Sequence, residues 1–158
     1  IAGNLNIISG TLNSSGNNIR IDGNYMNSGD FVHDGSGRVI MEGSNQMMTG
    51  STVFHSFSAT GSTNLTMDFR ARQNFSGSLI LQNITLRSSK TGSAALMILD
   101  GSAGTQNVHT VNVADNDATG GSTIQCTVGC TNAGNVTNWN FTAAEVFRGI
   151  MDFMFFME

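Results

Sequence analysis

Across residues 1–141 the apolar stretches are short, recur at close intervals, and are separated almost every time by Gly, Asn, Asp or Ser. Examples are residues 5–8, 19–21, 39–41, 79–81, 108–113, 124–128 and 139–141. Many alternate apolar with polar, as in Ile19-Arg20-Ile21 and Val108-His109-Thr110-Val111-Asn112-Val113. A helix needs an apolar stripe of period 3.6 sustained over three turns, and none is present up to residue 141. The pattern predicts strands of about three to six residues, each with one buried face.

The corners repeat as well. Gly3-Asn4, Gly16-Asn17, Gly23-Asn24 and Gly134-Asn135 share one dipeptide, and Asp22-Gly23, Asp34-Gly35 and Asp100-Gly101 share another. Both suit positive φ. Frequent corners without intervening helices leave a sandwich, a closed barrel or a solenoid. Two features favour the solenoid. In a coiled sheet nearly every strand pairs on both sides, so proline would remove a ladder bond almost anywhere, and the chain has none. Asn is abundant beside the corners, where stacked rungs align amides into ladders. Rungs of about 20 to 25 residues give roughly seven, a rod on the order of 30 Å long with two open ends.

Composition closes off other classes. Gly, Asn, Ser and Thr supply 70 of 158 residues, while charged residues are 11% and Lys90 is the only lysine. Helical bundles need Ala, Leu, Glu and Lys. Disordered chains are rich in charge and proline, whereas this one is 39% hydrophobic along its length. A net charge of -4 without basic runs argues against nucleic acid. No apolar stretch is long enough to span a membrane. The opening Ile1-Ala2-Gly3-Asn4 already sits mid-pattern and reads as a piece of something larger.

Residues 142–158 break the rhythm. Val146, Phe147, Ile150, Met151, Phe153, Met154, Phe155, Phe156 and Met157 crowd this stretch. It reads as a short helix begun at Thr142, with Glu145 in capping-box position, covering the end of the coil. The other reading is a strand that docks on a neighbouring chain. The domain reading is therefore a solenoid over 1–141 and an apolar tail, cap or inter-subunit contact over 142–158.

From Ile84 onward, three phrases stand out: Gly104-Thr105-Gln106-Asn107-Val108, Val111-Asn112-Val113-Ala114-Asp115-Asn116-Asp117-Ala118-Thr119-Gly120-Gly121, and Asn132-Ala133-Gly134-Asn135-Val136-Thr137-Asn138-Trp139-Asn140-Phe141. With the earlier Gly23-Asn24-Tyr25-Met26-Asn27-Ser28-Gly29, this stretch resembles β-helix repeat modules of large secreted bacterial surface proteins, adhesin-like and filamentous-haemagglutinin-like. The resemblance implies an all-β, right-handed parallel β-helix (β-solenoid), export to the cell surface, and a structural or adhesive role. It brings no catalytic residue with it.

Asp115-Asn116-Asp117 is the densest acidic cluster, and Asp115 and Asp117 could offer oxygens to calcium. The motif lacks the remaining spaced ligands of a calcium loop, and the same residues suit a turn closed by side-chain to backbone bonds. Cys126 and Cys130 would lie roughly 13 Å apart along a straight strand, so a disulfide needs a turn, which Gly129 can supply. Free or buried thiols are the alternative. Zinc lacks a second ligand pair.

The carboxylates at 22, 30, 34, 42, 68, 100, 115 and 117 fall mostly in Gly-flanked corners, which does not suggest the paired acids of a glycosidase. Six Asn-x-Ser/Thr triplets begin at Asn13, Asn64, Asn74, Asn83, Asn135 and Asn140. The expectation is a non-catalytic structural module without a cofactor, a stalk, adhesin or filament subunit that meets itself head to tail. A carbohydrate-binding β-helix module, with surface glycans as partners, is the alternative. A cluster of Tyr25, Phe31 and His33 on an exposed face would favour it. A polysaccharide-degrading enzyme ranks below both.

Overall fold

The computed structural model describes residues 1–61, 63–101 and 105–141. These residues contain strands and turns, with no helix among them and so none long and apolar enough to cross a membrane. The chain winds through β1 (Leu5–Ile7), β2 (Thr11–Asn13) and β3 (Ile19–Ile21), then β4 (Tyr25–Asn27), β5 (Asp30–Val32) and β6 (Arg38–Met41). It continues through β7 (Asn45–Thr49), β8 (Thr52–Phe54), β9 (Ser56–Thr60), β10 (Asn64–Met67), β11 (Arg72–Phe75) and β12 (Leu79–Ser88). β13 (Ala95–Leu99), β14 (Gln106–Val113), β15 (Asn116–Asp117), β16 (Ile124–Cys126), β17 (Thr131–Asn132), β18 (Val136–Thr137) and β19 (Trp139–Phe141) complete the described part.

All pairings are parallel and join each strand to the one a turn later, which makes the molecule a three-faced β-solenoid. On the first face β1, β4, β7, β10, the second half of β12, the second half of β14 and β17 stack through six steps. The second face stacks β3, β6, β9, the first halves of β12 and β14, β16 and β19. On the third, β2 pairs β5, and β8, β11, β13, β15 and β18 run as one ladder. Rung length varies more than the periodicity predicts, from 15 residues between Gln125 and Asn140 to 27 between Leu79 and Gln106. The variation sits in the corners, because the ladder fixes only the strand register.

Alternation within each strand builds the interior. Ile21, Met41, Ala59, Leu81, Val108, Cys126 and Phe141 are register partners in one continuous column, buried except at Phe141. A one-residue slip in any rung would turn its apolar side chains outward, which holds the register. Phe54 and Phe75 stack with ring centroids 5.8 Å apart, and Tyr25 and Phe57 close on the same group. Such ring pairs add to the burial itself.

The corners depart in part from the dipeptide reading. Asp34-Gly35 (φ 49° and 71°) and Gly134-Asn135 (φ 114° and 53°) are left-handed as expected. Gly23 is not. Glycine is needed there because a β-carbon would strike the Asn4 side chain and the Gly3 backbone of the preceding rung. At Gly50 both reasons combine: φ is +77°, and a β-carbon would drive into the Asn27 carbonyl.

Candidate functional site

Rung continuity makes the first turn different from the rest. β1, β2 and β3 each pair on one side only, with β4, β5 and β6. Leu5 donates its N–H to Asn24, and Ile7 accepts from Ser28, so both backbone groups point to the second rung. In a parallel strand alternate residues point opposite ways, which aims the N–H and C=O of Asn6 outward along the axis. On β2, Gly10 and Ser14 bond the second rung, so Thr11 and Asn13 aim outward too.

Among the described residues Ile1 occupies part of this edge, donating its N–H to the Arg20 carbonyl at 2.7 Å and accepting from Asp22 N–H at 3.1 Å. Between Ile1, Leu5, Leu12 and Ile19 lies a concavity of about 420 Å³, rimmed by Asn18 and Arg20. Leu5, Leu12 and Ile19 are half-buried there, and Ile1 is exposed. Ile8, 73% exposed, stands beside it. The first described turn thus presents an apolar hollow between outward-facing backbone groups.

Along the sides, four of the acidic groups are spent on the fold. The buried Asp115 carboxylate accepts from Gly92 N–H at 3.0 Å and from the Asn135 amide at 2.7 Å, tying three rungs together. Asp117 accepts from Thr119 N–H at 2.8 Å. Asn116, between them, accepts from the Trp139 indole at 2.8 Å. Glu42 pairs with Arg20, and Asp68 accepts from Arg70 N–H and the Ser89 hydroxyl. Among the described residues no three His, Cys, Asp or Glu side chains gather as a metal set. The Asp115–Asp117 pair considered for calcium is a corner staple here.

Cys126 ends β16 in the interior column, Gly129 turns the chain at φ +68°, and Cys130 returns so that the α-carbons lie 6.1 Å apart and the sulfurs are bonded. The disulfide clamps the corner that leads into the last described turn. Cys130 sulfur also accepts Val111 N–H at 3.3 Å.

The aromatic trio weighed as a sugar platform does not form an exposed cluster, since Tyr25 is buried while Phe31 and His33 are half-buried. Tyr25 is fully buried, with Phe31 edge-on at 6.4 Å, and its hydroxyl reaches the Thr52 hydroxyl at 3.2 Å. Burial pushes its phenol up to about 12. His33 instead lies tilted against His55 one rung on, ring centroids 5.7 Å apart, and accepts Gly35 N–H on Nδ1.

A feature the sequence reading passed over is the corner of β10 and β12, where Arg70 and Lys90 both lie over the Phe69 ring, at 4.8 and 5.1 Å. Their sequence separation hides a contact that rung stacking creates. No family model matches the chain, and searches of curated proteins and of solved structures found no match. The assembly candidates Val146, Phe147, Ile150, Met151, Phe153, Met154, Phe155, Phe156 and Met157 lie outside the described residues.

Proposed function

We propose that this chain is a non-catalytic structural module of a secreted or cell-surface protein, a rigid rod that joins end to end with another rung. The parallel ladders that stack rung on rung along three faces carry this reading, because any further turn in register extends such a coil. A further β-solenoid turn in the same register pairs with a rung that is bonded on one side only. A second copy of the chain, offering Val136, Trp139 and Phe141 of its last described turn or the apolar residues beyond it, supplies that chemistry. Parallel ladders on three faces make the body stiff, and the Cys126–Cys130 bridge suits an oxidising compartment. The adhesin-like resemblance points the same way.

Negative-stain microscopy at matched concentration tests the proposal on the whole chain, on Asn6→Pro, and on the chain lacking 142–158. Asn6→Pro removes an outward donor without breaking a bond to the second rung. End-to-end chains of particles that separate in either variant are the expected result. Single particles in all three samples would reject an assembling subunit.

A further inference from the structure

Alternation along β13 turns Ile98 outward, yet it is only 6% exposed. The cover is the connection after β15, where Gly120 at φ +90° and Gly121 fold back over the third face. A β-carbon at Gly121 would lie 2.9 Å from the Ile98 side chain. This loop raises a wall on an otherwise flat ladder. Beside it opens a groove of about 210 Å³, lined by Val53, Arg72, Asn74, Ser76, Ile98 and Asp100.

Stacking explains how these residues meet. Val53, Asn74 and Ile98 are register partners on consecutive rungs, so an amide sits between two aliphatic side chains. Val53 is 48% exposed and presents its methyl groups to the opening. Arg72 donates Nε–H to the Asn74 Oδ1 at 3.0 Å, which fixes the amide and leaves its Nδ2 donors and the guanidinium Nη groups directed elsewhere. Ser76, bonded through its hydroxyl to the Phe54 carbonyl, keeps acceptor capacity at the rim.

The exposed Val53 methyl groups, with rigid planar donors and oxygen acceptors beside them, are the chemistry that meets one face of a pyranose ring. C–H groups lie on the aliphatic surface, and vicinal hydroxyls bond the amide, guanidinium and rim oxygens. One cation and one carboxylate on the lining balance, which favours a neutral sugar. We infer that this groove on the third face is a binding site for a single neutral pyranose unit. It lies on the side of the rod and is independent of what the first-turn edge does.

Saturation-transfer NMR with the methyl pyranosides of glucose, galactose, mannose and N-acetylglucosamine, at millimolar concentrations, tests it on the full chain. At least one should bind. Val53→Trp, which fills the groove from an exposed position, and Asn74→Ala should each weaken that binding tenfold or more while leaving the melting temperature within a few degrees. Asn140→Ala, elsewhere on the surface, should leave it unchanged. Absence of signal with all four sugars overturns the inference, as does binding that survives Val53→Trp and Asn74→Ala.

Discussion

Tyr25 shows how much a single side chain reports when it sits in the middle of a column. It is the only tyrosine in the chain and is fully buried, and its hydroxyl has one partner, Thr52, which Asn27 also bonds at 3.0 Å. Loss of water around the phenol is the main reason its ionisation rises from 10 to about 12. A group whose folded value lies above its unfolded one contributes full stability below pH 10 and loses it as pH climbs toward 12. Two units correspond to about 2–3 kcal/mol. The absorbance change at 295 nm should therefore be absent from the folded protein at pH 10.5 and half-complete near pH 10 in denaturant. Titration near pH 10 with a native far-UV signal would show that the phenol meets solvent.

At the scale of elements, corners are where rungs touch, and two glycines separate backbone strain from collision. Gly35 and Gly50 share a left-handed φ, +71° and +77°, but a β-carbon meets nothing at Gly35 and the Asn27 carbonyl at Gly50. Gly35→Ala should cost about 1 kcal/mol, the strain alone. Gly50→Ala should cost at least twice that, because β4 and β7 must part at their ends around it, and urea midpoints compare the two directly. Buried amides reinforce corners too: Gln73 donates to the Gly50 carbonyl at 2.7 Å, and at another corner Gln46 donates to the Ile21 carbonyl at 2.9 Å. At Asn83 and Thr110, each at φ 55°, a single left-handed residue bends β12 and β14 from one face to the next. Earlier rungs need three residues for that corner.

For the whole molecule, stability is a sum over rungs and the interfaces between them, so it falls toward an uncovered end. Hydrogen exchange should read this as a gradient. Amides of Asn6, Thr11 and Asn13, aimed out of the first turn, should exchange first, and those of Leu81 and Val108, with rungs on both sides, last. Protection of the first-turn amides that rises with protein concentration would mark the end as the joining surface. Equal, concentration-independent protection at both positions would contradict an open edge.

The alternation of Ile19-Arg20-Ile21 and its many counterparts, the missing proline and the Gly/Asn corners were enough to establish short strands wound as a solenoid. A parallel ladder on both sides tolerates few other compositions. The disulfide was legible as one of two readings of Cys126 and Cys130 around Gly129. Which residues share a column or a groove was not legible. Rung length swings between 15 and 27 residues, so no fixed spacing relates Val53 to Asn74 and Ile98, or Phe69 to Lys90. Tyr25 and Phe31 carry no mark in the sequence that sends them inward, and Asp115-Asn116-Asp117 looks like a ligand cluster until the rungs on either side supply its donors. Local pattern sets which side of a strand faces in. Only stacking, through register fixed across distant corners, decides which neighbours each side chain meets there.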